Sequence, residues 1–230
     1  MSEQGNTDVL QPLPHHTSLA FDHGAVSRFN AWFFTAFARY INHVARHHKL
    51  TAFSGLQSGA TILEIGAGTG ANLDHLPAGT RLYAVEPSLR MHERLRRRCA
   101  AAGVEVQILA TGAEAIPLPN ASVDEVICSL VLCTAQDPAQ VLAEVRRVLR
   151  PGGRFRFVEH VASPHRGIRS LAQWVIRRPW GWVFEGCDPH RHTPDTIAEA
   201  GFSEVHLERR KLRNSVFWPV NTAACGVAIR

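Results

Sequence analysis

The stretch Thr61-Ile-Leu-Glu-Ile-Gly-Ala-Gly-Thr-Gly-Ala-Asn72 decides the fold, because a short apolar run passes directly into a glycine-rich loop. The run predicts a buried strand. The glycines let the backbone turn sharply and approach a ligand closely, where a Cβ would collide. In an open α/β sheet, ligands bind beyond the carboxyl ends of the strands, near the first strand and its loop. This stretch therefore predicts both the start of such a sheet and the place of its ligand.

Apolar runs and helical patterns alternate along the rest of the chain, which is typical of a parallel sheet with helices on both faces. The last two runs follow one another without a helix and predict an antiparallel hairpin. We therefore predict an α/β, Rossmann-like fold: a seven-stranded, mostly parallel sheet with an antiparallel C-terminal edge strand. The predicted strands are 61–65, 81–85, 104–109, 123–132, 154–161, 205–212 and 223–229. The predicted helices run from the glycine loop through 73, over 88–102, and over 138–149, where Pro151-Gly152-Gly153 ends the last one.

The N-terminal region has a different pattern from the rest of the chain. Residues 1–20 are polar and aperiodic, which predicts a flexible tail. Residues 21–58 predict a helical lid on a domain that comprises 59–230, because apolar side chains recur there at spacings of three and four. The alternatives are a helix packed on the core and a helix that lies on a membrane surface. The apolar stripe consists of Phe29, Trp32, Phe33, Phe37, Tyr40, Ile41 and Val44.

Charge and cysteine usage exclude several classes of protein. The chain carries 25 Lys and Arg residues against 20 Asp and Glu, a formal net charge of +5. No nucleic-acid motif accompanies its arginine clusters, so we expect solvated helix faces and no nucleic-acid partner, while peripheral membrane contact stays open. The five cysteines are scattered without a CxxC pair, which argues against a disulfide framework or a zinc knuckle. With no apolar run long enough to span a membrane, we predict a cytoplasmic protein, and the sequence carries no signal for its oligomeric state.

Two acids indicate which ligand the glycine loop holds. Glu86 follows Gly66 by twenty residues, at the end of the second predicted strand, where a carboxylate can accept both hydroxyls of an adenosine ribose. The spacing of Gly66, Gly68 and Ala71 also satisfies the permissive dinucleotide fingerprint, so a dehydrogenase is one alternative. However, Glu64 would repel a pyrophosphate, whereas it suits the ammonium and sulfonium of S-adenosylmethionine. The residues therefore favour a cationic nucleoside cofactor.

The successive motifs resemble those of class I S-adenosylmethionine-dependent methyltransferases. The resemblance rests on Leu63 to Gly70, Glu86, Gly112-Ala-Glu-Ala-Ile-Pro-Leu-Pro119 before Ser122-Val-Asp124, and Val148-Leu-Arg-Pro-Gly-Gly153. Within that class the chain is most similar to the methyltransferase-like thiol S-methyltransferases. That similarity rests on Ile65 to Asn72, Leu130-Val-Leu-Cys133, Glu159-His-Val-Ala162 and Phe184-Glu-Gly-Cys-Asp188. The membrane-bound members carry an apolar N-terminal anchor, which the polar tail of this chain lacks, so their membrane assignment does not carry over.

The resemblance implies a role for each residue of the cofactor motifs. Gly66, Gly68 and Gly70 would line the methionine part of S-adenosylmethionine, with Glu64 near its ammonium. Glu86 would hold the ribose. The adenine would lie between Gly112, Ala113 and Glu114, and the sulfonium close to Ser129, Leu130 and Val131. Ala67, Thr69, Asn72 and Pro87 complete the predicted cofactor site, which would release S-adenosylhomocysteine as the product.

The predicted reaction is an in-line methyl transfer to a small apolar acceptor, most simply a thiol, because a thiol is already partly ionised at neutral pH. His160 is the predicted catalytic residue, as a general base beside the fifth strand, and a structural histidine is the alternative. No metal is predicted. The alternatives are an N-, O- or C-methyltransferase on a lipid, quinone or natural product, and a cofactor-binding adaptor without catalysis. The predicted acceptor pocket consists of Phe29, Phe33, Cys133, His160, Trp182 and Asp188.

Overall fold

The carboxyl ends of five neighbouring parallel strands form the edge of the sheet at which the predicted ligand site lies. The computed structural model describes residues 40–165, 167–184, 186–212 and 215–230. Within those ranges, seven strands form a sheet in the order β3-β2-β1-β4-β5-β7-β6, in which β7 is antiparallel to both of its neighbours. The strands are β1 (Thr61–Ile65), β2 (Arg81–Val85), β3 (Glu105–Leu109), β4 (Val123–Ser129), β5 (Leu149–His160), β6 (Glu204–Lys211) and β7 (Thr222–Ile229).

Helices cover both faces of this sheet, because alternate strand residues point to opposite sides. On one face Leu63 packs in a core with side chains of α3 and α5, and on the other Ile62 packs with side chains of α1 and α2. The helices are α1 (40–52 among the described residues), α2 (Leu89–Ala101), α3 (Pro138–Val148), α4 (Ile168–Val183) and α5 (Thr193–Glu199). None of the helices in the described part of the chain is both long and apolar enough to cross a membrane.

The predicted fold class is confirmed: the sheet has seven strands, is mostly parallel and is flanked by helices on both faces. The C-terminal hairpin lies at the predicted edge, with β7 paired to β5 and β6 outermost. The bounds of β1 and β2 are those read from the sequence. The alternation of apolar runs with helical patterns was therefore sufficient to predict the architecture.

Two local predictions were wrong. The helix after the glycine loop is only a 3-10 turn at Leu73–His75, and Leu76 after it is extended (φ −82°, ψ 135°), because a residue before proline disfavours the helical conformation. The strand predicted over 123–132 ends at Ser129; the helix predicted over 138–149 does end before Pro151-Gly152-Gly153, which lies within β5 opposite a register shift in β4. A Cβ on Gly153 would come within 2.9 Å of the Asp124 carbonyl oxygen, so the two strands approach closely there. The predicted tail and most of the predicted lid, with Phe29 and Phe33, lie outside the described residues.

Candidate active site

The glycine loop after β1 approaches its neighbours closely on one side and is open on the other. Gly66 has φ +65°, and a Cβ there would lie 2.3 Å from Val131 Cγ2, so only glycine fits beside the loop after β4. Gly68 also has positive φ, but no heavy atom lies within 4 Å of the position that its Cβ would occupy. The loop therefore packs against the sheet through Gly66 and presents bare backbone to open space at Gly68.

The carboxylate of Glu86 holds this loop from the end of β2. Its Oε2 accepts a hydrogen bond from the Gly68 N–H at 2.8 Å, and its Oε1 accepts one from the Ser88 N–H at 2.8 Å. Burial raises the pKa of Glu86, while the two backbone hydrogen bonds act in the opposite direction. Each carboxylate oxygen has two acceptor sites, and the hydrogen bonds from the described residues use one on each, which leaves capacity for a ligand hydroxyl.

Glu64, on β1, lies fully buried below the same loop. Its Oε1 accepts a hydrogen bond from Asn72 Nδ2 at 2.7 Å. Its Oε2 and the Oδ1 of Asn72 are buried and accept no hydrogen bond from any described residue. Burial raises the pKa of Glu64 to about 7, although the Asn72 hydrogen bond and the nearby Lys49 of α1 both favour the charged form. Among the described residues, two buried acceptors on a hydrogen-bonded pair of side chains thus have no donor.

The backbone after β4 is strained, and a buried acid holds it in place. Leu130 has φ +61°, a left-handed conformation that costs a non-glycine residue about 1–3 kcal/mol and is common at functional sites. The carboxylate of Glu159, which is fully buried, accepts hydrogen bonds from the N–H groups of Val131 (2.9 Å), Leu132 (3.1 Å) and Cys133 (3.1 Å). Burial raises the pKa of Glu159, and these hydrogen bonds oppose the shift. Sequence reasoning missed this role; an acid directly after the apolar pair Phe157-Val158 of β5 was the available signal.

An apolar pocket opens beside Leu130. Trp180 stacks on Phe184 with ring centroids 4.0 Å apart, and Phe217 meets Trp180 edge-on at 5.3 Å. No Asp, Glu, Lys or Arg side chain belongs to the described lining. The helix α1 contributes Tyr40, Ile41, Val44 and Ala45, and the remaining lining residues are Leu130, Cys133, Thr134, His160, Trp180, Phe184, Cys187, Leu212, Ser215, Phe217 and Val220.

The structure places Cys133 and His160, two of the residues predicted for the acceptor pocket, in this lining. Trp182 requires a correction: its side chain is 68% exposed, and Trp180, two positions earlier on α4, faces the pocket instead. Asp188 also lies outside the lining. Its backbone N–H donates to the Cys133 carbonyl oxygen at 2.9 Å and its carboxylate accepts from the His190 N–H, so it joins two loops.

Two cysteines and a histidine converge at the inner end of the pocket. The sulfurs of Cys133 and Cys187 lie 3.5 Å apart, and Cys187 Sγ lies 3.9 Å from His160 Nδ1. The contact between the two thiols, followed by that with His160, lowers the pKa of Cys187, whereas the same contact and burial raise the pKa of Cys133. Cys133 and Cys187 are 54 residues apart in sequence, so their spacing gave no sign of this contact.

Comparison with known proteins identifies the family. Residues 63–157 match the family described as "Methyltransferase domain". Thiol S-methyltransferase TMT1B of Homo sapiens is 36% identical over 165 residues, which cover 70% of this chain and 68% of that protein. Thiol S-methyltransferase TMT1A of Homo sapiens is 33% identical over 186 residues, which cover 77% and 76%. The chain belongs to the class I S-adenosylmethionine-dependent methyltransferases and is similar to TMT1A and TMT1B. It is an S-adenosylmethionine-dependent methyltransferase, and the predicted family is confirmed.

Solved structures agree with the fold of this methyltransferase. A methyltransferase of Haloferax volcanii, solved with the Trm112 methyltransferase activator, superposes with a TM-score of 0.67 at 18% identity over 87% of this chain and 96% of its own. An S-adenosylmethionine-dependent methyltransferase of Thermotoga maritima gives a TM-score of 0.63 at 20% identity over 88% and 98%. At these identities the likeness establishes the fold of the methyltransferase domain.

Proposed function

We propose that this methyltransferase transfers the methyl group of S-adenosylmethionine to the thiol of a small apolar acceptor. The observation that carries the proposal is the apolar pocket at Leu130, whose described lining offers thiols and an imidazole but no carboxylate or ammonium. A thiol needs only modest help to lose its proton, whereas a hydroxyl needs a strong base. The names of the relatives TMT1A and TMT1B, as thiol S-methyltransferases, support the same acceptor class.

The site beside the glycine loop fits the methyl donor. The two buried acceptors without a donor, Glu64 Oε2 and Asn72 Oδ1, suit the ammonium of the methionine part. Glu86 retains acceptor capacity for the ribose hydroxyls, and the open side of Gly68 gives the ligand access to bare backbone. We propose that Gly112, Ala113 and Glu114, after β3, flank the adenine. Bound S-adenosylmethionine supplies a methyl group on a positively charged sulfur.

The residues around the pocket align the acceptor and exclude water. Leu130, Cys133 and Thr134 of the loop after β4 all line the pocket, so the pocket adjoins the loop where the sulfonium is proposed to lie. The stacked rings of Trp180 and Phe184 form an apolar wall, and a dry, oriented site is the main requirement of an in-line displacement. His160, half-buried in the lining, is placed to help the acceptor thiol lose its proton.

Methyl transfer to a panel of thiols, amines and phenols with similar apolar bodies tests this function. We expect methylated thiols as the main product, detected by mass spectrometry, with His160→Ala reducing kcat/KM by about tenfold or more, because general-base help is worth most at neutral pH. Methylation of amines alone, with thiols inert, would overturn the thiol proposal and favour an N-methyltransferase.

We also propose that α4 rests against an anionic lipid surface beside the pocket. Its exposed apolar side chains Leu171, Trp174, Val175 and Trp182 recur at helical spacing, with Arg177 and Arg178 exposed among them. A helix with this pattern lies in the membrane interface, with its arginines toward anionic headgroups. We expect the protein to sediment with vesicles that contain phosphatidylserine but not with vesicles of pure phosphatidylcholine. The double variant Trp174→Ser/Trp182→Ser should sediment less. Equal recovery with and without vesicles would contradict the proposal.

A further inference from the structure

We propose that Cys133, His160 and Cys187 form a zinc site whose open position binds the acceptor thiol as a thiolate. The proposal rests on the proposed function and gives its acceptor half a chemical mechanism. Each of the three side chains offers one donor atom, and all three atoms lie within 4.8 Å of one another. The donor set of two sulfurs and one imidazole nitrogen is the one that zinc prefers over harder cations.

Two of the three separations between donor atoms are close to those that a tetrahedral zinc ion requires. Bonds of about 2.3 Å to sulfur and about 2.0–2.1 Å to nitrogen place the donor atoms about 3.6–3.8 Å apart at tetrahedral angles. The two sulfurs are 3.5 Å apart, and Cys187 Sγ is 3.9 Å from His160 Nδ1. These two separations lie within a few tenths of an ångström of the tetrahedral values, and the third, between Cys133 Sγ and the His160 ring nitrogen, is within 4.8 Å.

The backbone around the three ligands is held in place by a second layer of hydrogen bonds. Glu159 accepts from the Cys133 N–H, and the Asp188 N–H donates to the Cys133 carbonyl oxygen, so the loops that carry the two cysteines are joined. Arg191 Nη1 donates to the carbonyl oxygens of Leu132 at 2.8 Å and Ala135 at 2.6 Å. His160 lies on β5, where it pairs with Ala223 of β7. Ligands fixed by such outer contacts form a site that needs little rearrangement to bind a metal.

All three ligands belong to the lining of the apolar pocket, so a fourth coordination position faces the space where the acceptor enters. Catalytic zinc sites keep three protein ligands and one such open position, whereas structural sites use four protein ligands. The acceptor thiol R–SH releases its proton to water as its sulfur bonds to zinc, which stabilises the thiolate at neutral pH. In this arrangement His160 is a ligand and not a general base, and the zinc ion activates the thiol as a Lewis acid while water takes the proton.

The methyl transfer then needs no reactant other than the thiolate and S-adenosylmethionine. A lone pair of the zinc-bound sulfur attacks the methyl carbon, and the new sulfur–carbon bond forms as the sulfonium–carbon bond breaks. The electron pair of the broken bond remains on the cofactor sulfur, which becomes the neutral thioether of S-adenosylhomocysteine. The methylated product R–S–CH3 carries no negative charge, so it binds the ion more weakly than the thiolate did and leaves.

Metal binding can be measured without any turnover. The full chain, reduced with a phosphine and freed of metal, is titrated with Zn²⁺ in competition with a chromophoric chelator. We expect one equivalent of zinc, with Cys133→Ser and Cys187→Ser each weakening it by at least about 100-fold, since changes to outer-shell partners alone cost about 10–100-fold. Cys225→Ser, a buried cysteine of β7 outside the cluster, is the matched control and should bind zinc as the wild type does. Circular dichroism and S-adenosylhomocysteine binding establish that each variant is folded.

Substitution of Co²⁺ for zinc tests whether the fourth coordination position is open to a thiol. With Co²⁺ in the site, 2-phenylethanethiol should increase the sulfur-to-cobalt charge-transfer absorption, because it adds a third thiolate, and its methyl thioether should not. No zinc bound by the reduced wild type, or binding that survives both serine variants, would overturn the site. Thiol methylation at full rate by metal-free protein would also overturn it while leaving the proposed function intact. Zinc binding without methylation of any thiol would instead overturn the proposed function and the role of the ion as a thiol activator.

Discussion

The two halves of the active site are built in opposite ways. The half that we propose for the cofactor, around the loops after β1 and β2, contains two buried acids: Glu86 accepts hydrogen bonds from the Gly68 and Ser88 N–H groups, and Glu64 accepts one from the Asn72 side-chain amide. The acceptor half, which consists of the ends of β4 and β5 with α1 and α4, is apolar, and its titratable groups are thiols, an imidazole and a phenol. Under the proposed function, the acidic half binds a cationic nucleoside that is the same in every reaction, and the apolar half selects the acceptor.

Glu159 holds the loop after β4, including Leu130 and Cys133, to the end of β5, so its substitution should have the largest effect. In Glu159→Gln the amide retains one accepting oxygen but directs an NH2 group toward backbone donors, which costs about 2–3 kcal/mol of unfolding free energy by loss of charge-assisted hydrogen bonds. The Leu130 backbone and the Cys133 loop would relax, so kcat should fall more than the KM for S-adenosylmethionine rises. Denaturant unfolding and steady-state kinetics measure both. The exposed Glu208→Gln on β6 is the control, and an equal loss in both variants would contradict the role assigned to Glu159.

Glu64→Gln should affect the cofactor half alone. Because burial raises the pKa of Glu64 to about 7, the folded protein binds that proton more tightly than the unfolded chain does. This group therefore stabilises the ligand-free protein at low pH, and the contribution is lost as the pH rises through about 7. The glutamine variant should be more stable than the wild type at pH 8 by about 1–3 kcal/mol, which thermal unfolding of the ligand-free protein measures.

The same substitution separates stability from binding. In the wild type, affinity for S-adenosylmethionine should fall by up to about tenfold for each pH unit below 7, as the carboxylate that pairs with the ammonium becomes protonated. In Glu64→Gln, binding should be weaker by about 10–100-fold and independent of this pH range, because the uncharged amide loses an interaction worth about 1.5–3 kcal/mol. Calorimetry between pH 6 and 8 gives both curves. A variant that binds as tightly as the wild type at pH 8 would show that the ammonium lies elsewhere.

Trp180 and Trp182 offer a matched pair in the acceptor half. Trp180→Ala removes a stacked wall of the pocket, so the KM for an apolar thiol should rise by about tenfold, in line with about 1–1.5 kcal/mol for an aromatic contact. Trp182→Ala removes an exposed ring and should leave that KM within about twofold, since surface substitutions change energies by only about 0.5 kcal/mol. Similar KM values for both variants would contradict the correction that places Trp180, and not Trp182, against the acceptor.

The sequence indicates candidate residues around the glycine loop by local spacing, whereas it gives no such signal for the lining of the apolar pocket, for a physical reason. Gly66, Gly68 and Glu86 lie in strand ends and tight loops, where local backbone geometry dictates residue type, so spacing alone reveals them. Cys187 and Trp180 reach the pocket only because α4 and its following loop return to the sheet, and nothing local in the sequence determines which side of α4 faces inward. The choice of Trp182 failed for this reason.

Glu159 illustrates a third case. Its sequence context identified it only as the neighbour of His160, while the structure shows it holding the N–H groups of three successive residues. A long-range contact between a strand and a loop 26–28 residues away leaves no periodic signal. Such contacts become visible only when both segments are placed in the sheet.

The division into a cofactor half and an acceptor half is tested most directly by a two-substrate kinetic matrix, in which S-adenosylmethionine and 2-phenylethanethiol are varied together for the wild type, Glu64→Gln and Trp180→Ala. We predict that the wild type methylates the thiol. The KM for S-adenosylmethionine should rise about tenfold or more in Glu64→Gln alone, and the KM for the thiol should rise in Trp180→Ala alone. An interaction lost from one site raises the KM of the ligand that this site binds. Absence of thiol turnover in the wild type, or both KM values rising together in each variant, would contradict the account.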